Sequence, residues 1–197
     1  MSDITGVNGA IRRETVVVRE HPTGPGHISG KARELPVKNR SARSRLIARI
    51  LDHPFMIGID PDFVELLTWG AKEMSYERGD ILFMAGEPAD RFFLLEYGSV
   101  ALEFAIPEDR HTSTQRVGSG EVVGWSWMTA PYRYTSDARV LQPTKAIIFD
   151  AAAVRQACRE RPREGYRVLQ RLMAVVANRL DAARSQLVDE RTRQSVT

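Results

Sequence analysis

From Met74 to Asp150 the apolar residues of this 197-residue chain come in short runs separated by turn signals. ILFM, RFFLLE and SVALEFAI are rich in Ile, Phe, Leu and Val, and ERGD, AGEPAD, EYGS and PEDR punctuate them. Branched and aromatic residues in such runs suit pleated, half-buried strands, and turns about every eight to ten residues predict an antiparallel sandwich or jelly roll. TQRVGSGEVVG continues the rhythm, and ARVLQPTKAIIFD closes it with two more strands.

Both flanks change period. SARSRLIARILDHPF sets Leu46, Ile47 and Ile50 at helical spacing before Pro54 stops the helix. DPDFVELLTWGAKEMSY predicts a second helix with Asp60 as N-cap and Pro61 in its first turn. Phe63, Leu66, Leu67 and Trp69 form its apolar side. After the strands, AAAVRQACRERP predicts a short helix ended by Pro162, and REGYRVLQRLMAVVANRLDAARSQLVDERTRQ a long one. Along the latter Leu169, Met173, Val176, Leu180, Ala183 and Leu187 recur in alternating steps of four and three, the seam of a two-stranded coiled coil. Tyr166 and Val168 are expected on the domain and the later seam on a second copy, so a homodimer is predicted. The fold class is therefore mainly β with flanking helices. It comprises an antiparallel jelly roll, short N-terminal helices and a long C-terminal dimerisation helix.

HPTGPGHISGKARELPVKNRS shows neither period. Residues 1–42 read as a flexible basic N-terminal arm, in which ETVVVRE becomes a strand only if a partner supplies an edge. Residues 43–192 read as the domain and residues 193–197 as a tail. The formal net charge of +3 is uneven: residues 1–47 hold nine Lys or Arg against four Asp or Glu. Such an arm can meet a partner protein, nucleic acid or anionic lipid. The single cysteine, Cys158, makes no internal disulfide, and no apolar run approaches the roughly 20 residues of a membrane helix. The N-terminus lacks an apolar core and carries Asp3, so the expected location is cytoplasmic, with no membrane insertion.

The element order and the segment ERGDILFMAGEPADRFFLLEYGSVAL resemble the cyclic nucleotide-binding domain, the sensor part of the catabolite activator protein and its relatives, over about residues 45–190. Gly79, Gly86 and Gly98 match its turn glycines, and Pro88 and Asp90 shape its second turn. Ile81, Phe83, Phe93, Leu95 and Val100 match its inward positions. The resemblance implies a phosphate-binding cassette at GEVVGWSWMTAPYRYTSDARV. A nucleotide-binding member carries there a glutamate for the ribose 2′-hydroxyl, a short helix whose N–H groups face the phosphate, and an arginine that neutralises it. Here Trp125 follows Gly124 where the glutamate would stand, and Tyr134 takes the arginine position beside Arg133. Each missing charge-assisted hydrogen bond is worth about 1.5–3 kcal/mol. Cyclic AMP and cyclic GMP are thus the implied ligands, and these two positions argue against them.

The candidate cassette is Gly124, Trp125, Ser126, Trp127, Met128, Arg133, Tyr134, Thr135 and Ser136, with the long helix closing over it near Asn178 and Arg179. Trp125, Trp127, Tyr132 and Tyr134 offer flat faces for an aromatic or amphipathic molecule, and Arg133 with the hydroxyls could orient an anionic end. Alternatively the tryptophans fill the space a nucleotide would occupy. Haem would need His53, His111 or Cys158, which share no recognisable spacing, and no metal site or cofactor is assigned. No nucleophile elbow, Walker loop or metal-ligand spacing is present, so no enzyme is expected; GSGEVVG lacks the helix of a dinucleotide fingerprint. The few residues after the long helix leave no helix-turn-helix, so sequence-specific DNA binding is not expected. The functional expectation is a non-catalytic regulatory or sensor domain that is not a standard cyclic AMP binder. The alternatives are a ligand-free dimeric assembly module recruiting a partner through its arm, and gene regulation without its own DNA-binding domain.

Overall fold

The computed structural model describes residues 33–35, 40–105 and 112–194. Its strands are β1 (Arg33–Leu35), β2 (Ala71–Tyr76), β3 (Ile81–Phe83), β4 (Arg91–Ala105), β5 (Thr112–Gly118), β6 (Val122–Val123) and β7 (Asp137–Asp150). They form one sheet in the order β1-β2-β7-β4-β5, with β3 paired to β7 and β6 to β4. All pairings are antiparallel. The helices are α1 (Arg40–Asp52), α2 (Pro61–Leu67), α3 (Ala151–Glu160) and α4 (Pro162–Gln194).

The long pairing of β4 with β7 organises the roll and corrects the sequence reading. EYGS is not a chain reversal, and ARVLQPTKAIIFD is one strand rather than two. The strands bend instead: the β4–β7 register shifts between Leu95 and Val100, and Gly98 sits at φ 101°. A Cβ on Gly98 would lie 2.6 Å from Thr144 Cα, so the strands approach this closely only because Gly98 has none. Inside the roll Phe83, Phe93, Leu95 and Val100 are buried and Ile81 half-buried. Phe92 stacks on Phe149 with centroids 5.0 Å apart.

Leu46 and Ile50 of α1 are fully buried. Asp60 caps α2, its Oδ1 accepting from Asp62 N at 2.9 Å and Phe63 N at 3.2 Å. Trp69 departs from its expected place on the apolar side. The 3₁₀ turn Thr68–Gly70 rotates it outward, where it is 77% exposed with the Arg43 guanidinium 3.6 Å over its ring. Helix α1 starts at Arg40, and β1, which pairs Arg33–Leu35 with Ser75–Glu73, lies within the stretch read as an arm. The rest of that arm, including ETVVVRE, His21 and His27, lies outside the described residues, as do residues 106–111 of the PEDRHTSTQ hairpin.

Pro162 starts α4, which packs Val168 and Leu172 into the core. Tyr166 is 62% exposed and belongs to the outer face, contrary to expectation. Leu169 and Met173 are also exposed there. Arg171 anchors the helix by donating to the carbonyls of Pro54, Phe55 and Ile57. That 3₁₀ turn, Pro54–Met56, is capped by His53, whose Nδ1 accepts from Phe55 N and whose Nε2 donates to Leu95 O, each at 3.2 Å. Burial lowers the His53 pKa, which suits a neutral ring bridging those two groups. Among the described residues no helix is long and apolar enough to cross a membrane.

Candidate functional site

Strand β6 is followed by Gly124, which adopts a left-handed conformation (φ 86°) and lets the chain enter the 3₁₀ turn Trp125–Met128. A Cβ there would press on the Tyr134 ring at 3.2 Å. The turn splits its tryptophans. Trp127 is fully buried and stacks on Phe92, with centroids 4.8 Å apart and planes 14° apart. Its Nε1 has no acceptor, and its carbonyl accepts from Arg155 Nη1 at 2.7 Å. Trp125 stays half-buried at the mouth of a cavity.

The loop before β7, in which Arg133 makes an isolated bridge to Pro88, turns Arg133 and Tyr134 opposite ways. Tyr134 turns inward, stacks on Phe83 at 3.7 Å and 9°, and donates its hydroxyl to Arg91 O at 2.7 Å. Burial, reinforced by Asp90, pushes its phenol well above the ordinary range. Arg133 turns outward, is exposed, and donates to Gly86 O at 2.6 Å. The cassette therefore presents an aromatic ring where the resemblance implies a cation.

A cavity of about 390 Å³ lies between the cassette, the roll and α4. Gly124, Trp125, Ser126, Tyr134, Thr135 and Ser136 line it. Trp127, Met128 and Arg133 do not: Trp127 serves the core, Met128 packs partly against it, and Arg133 faces the other way. The tryptophans leave the space open. Of the seam residues, Val176, Leu180 and Ala183 face this cavity, Leu169 and Met173 face outward, and the Leu187 side chain lies outside the described residues. Phe83, Leu102, Phe104 and Gln115 complete the wall. Sequence reasoning left Leu102, Phe104 and Gln115 out of the site, because their contribution depends on how β4 and β5 pair rather than on any local motif.

Arg179 of α4 also lines the cavity. Its Nη2 donates to Val122 O, while Nε and Nη1 are buried with no acceptor. Its own carbonyl accepts from Gln115 Nε2 at 3.4 Å. Burial lowers the guanidinium pKa, and the Glu121 carboxylate opposes the shift. Glu121 lies on the other flank of Arg179, in a groove of about 590 Å³ shared with Arg116 and Arg171. On the cassette side no carboxylate lines the cavity among the described residues. Buried donors with nothing to donate to are uncommon in native proteins.

The haem candidates are not gathered here. His53 is committed to two hydrogen bonds, burial pushes the half-buried Cys158 thiol up, and His111 lies outside the described residues.

Residues 73–161 match the family model of the Cyclic nucleotide-binding domain. A CRP-like cAMP-activated global transcriptional regulator of Mycobacterium tuberculosis is 26% identical over 132 residues, covering 67% of this chain and 57% of the relative. The chain thus spans 57% of the length of the curated relatives it matches. A solved cyclic nucleotide-binding domain from Methylobacillus flagellatus superposes with a TM-score of 0.67 at 20% identity, over 81% of this chain and 89% of that one. The Thermus thermophilus Catabolite Activator Protein gives 0.54 at 22%, over 68% and 61%. At these identities the two structures speak to the fold, a mainly antiparallel β roll with flanking helices and a long C-terminal helix. Residues 73–161 match the model of the cyclic nucleotide-binding domain family, and the strands and helices around them complete a β roll of the same fold.

Proposed function

We propose that this protein is a non-catalytic regulatory domain whose effector binds between the cassette and α4. The observation that carries the reading is the open cavity bordered by Arg179, whose buried Nε and Nη1 lack acceptors. A ligand that gives these donors an acceptor would remove a standing cost and change how Arg179 ties α4 to the cassette strand, so occupancy and helix position become linked. The related regulator is described as cAMP-activated, which places cyclic AMP first in any panel. A thermal-shift screen would take cyclic AMP, cyclic GMP, a cyclic dinucleotide and a set of small carboxylates. Ligand at a hundredfold its Kd stabilises by about 2.7 kcal/mol, or about 5–10 °C for a chain of this size. The shift should vanish in Thr135→Trp, which fills the cavity from an exposed lining position. No saturable shift with any member would sink the reading.

A second reading draws on the outer face of α4, where Tyr166, Leu169 and Met173 are exposed side by side at helical spacing. It is a dimeric assembly module in which a second copy covers that face, with or without ligand. Recruitment of a partner through the basic arm belongs to this reading.

A further inference from the structure

The cavity's polarity runs opposite to what a cyclic nucleotide needs. A nucleotide held as the resemblance implies brings its phosphate to the cassette and its ribose hydroxyls to a carboxylate. Here the cassette end offers Trp125, the stacked Phe83–Tyr134 pair, and only hydroxyls from Ser126, Thr135 and Ser136. Arg133, the nearest cation in sequence, is engaged on the outer surface with Gly86 O. Tyr134 gives its hydroxyl to Arg91 O and stays a neutral phenol. Among the described residues the cavity holds one cation, Arg179, and it comes from the opposite wall on α4. That single charge calls for a single anion, and the rest of the lining is uncharged, with Gln115 and three hydroxyls among aromatic and aliphatic residues.

Resting on the reading that the cavity is an effector site, we propose that its ligand is a small apolar monocarboxylate with an aromatic or comparable hydrophobic body. The carboxylate takes the Nε–Nη2 edge of Arg179, displacing Val122 O from Nη2, in the side-on fork that Glu96 makes on Arg49 and Asp90 on Arg91. The body lies towards the cassette against Trp125, Phe83 and Tyr134, where flat rings stack well and water gains nothing. A volume of about 390 Å³ sits at the small end of the range for such pockets. The charge is read by the helix and the body by the cassette, the reverse of a phosphate cradle. Because Arg179 also holds Val122 O on β6, an anion there competes with a contact that ties α4 to the cassette strand.

The test is calorimetric titration of the full chain with naphthoate, phenylbutyrate, the neutral isostere naphthalenemethanol, and cyclic AMP. Saturable binding of either carboxylate is expected, with the alcohol at least about ten-fold weaker, as follows from one charge-assisted contact. Arg179→Gln should weaken the carboxylates by about ten-fold or more and leave the alcohol unchanged. That variant removes an uncompensated buried charge and is expected to fold; Thr135→Trp provides an independent block, abolishing binding from an exposed position. Carboxylates that bind no better than the alcohol, or equally well to Arg179→Gln, overturn the proposal. Cyclic AMP binding more tightly than both carboxylates overturns the ligand class while leaving the effector site in place. Absence of binding by every compound overturns both.

Discussion

Replacing Arg179 by methionine should make the unliganded protein more stable. The arginine puts a buried charge beside the cavity, and two of its donor atoms, Nε and Nη1, have no acceptor. Each unsatisfied buried donor costs about 1–3 kcal/mol, so the pair costs about 2–6. Methionine keeps much of the stem's packing and removes both donors and the charge. It also removes the bond to Val122 O, a loss of about 1 kcal/mol plus the desolvation of that carbonyl. The attraction to Glu121 goes too, although that carboxylate is exposed and keeps its bond from Gly118 N at 2.6 Å. The balance favours the variant by about 2 kcal/mol, in line with the gain seen when buried ionic groups give way to apolar ones. For a chain of this size that is about 4–8 °C in Tm. Urea and thermal denaturation of the two proteins without added ligand measure it. A variant that melts more than about 3 °C below the parent would refute the reasoning, because it would mean that the guanidinium is already paired.

Three further outcomes follow from particular contacts. Gly98→Ala should cost more than about 3 kcal/mol, since φ 101° and a Cβ only 2.6 Å from Thr144 Cα combine strain with a clash; chemical denaturation reads this. His53 has a folded pKa below its ordinary 6.5, so the unfolded chain takes up a proton first as pH falls. Its contribution is present above 6.5 and is lost as pH drops from there towards the folded value, and stability profiles across this window should flatten in His53→Gln. If a second copy covers α4, Met173→Glu should convert dimer to monomer in light scattering and leave the monomer's far-ultraviolet spectrum unchanged, because Met173 is 59% exposed. A dimer that survives this change would remove α4 as its interface.

Legibility in the sequence followed the range of the interactions. Asp60 and Pro61 set a helix start through contacts two or three residues away, and ERGD and AGEPAD set turns the same way, so these were readable. EYGS misled because a glycine that permits a turn also permits a bend, and the choice was made by Thr144 and the β4–β7 pairing, far along the chain. Trp69 misled because a single 3₁₀ turn after α2 shifts the helical phase and brings Arg43 over the ring. At the site, the sequence placed Tyr134 at the arginine position beside Arg133. It could not say that Trp127 would find Phe92 while Trp125 stayed at the cavity, since both lie in one short turn. The two donors of Arg179 without acceptors were invisible for a similar reason. An acceptor is absent only in view of everything that packs nearby.

The anchoring of α4 by Arg171 makes the helix a lever. Its fulcrum is the set of carbonyls at Pro54, Phe55 and Ile57, and Arg179 stands eight residues further on, about 12 Å at 1.5 Å per residue. Gln194, the end of the helix, lies about 35 Å from the same fulcrum. A displacement of about 1 Å at Arg179 therefore becomes about 3 Å at the far tip, provided the helix stays straight. A change too small to disturb the β roll would reposition whatever the end of α4 touches, and the mechanical advantage is fixed by where two arginines fall along one helix.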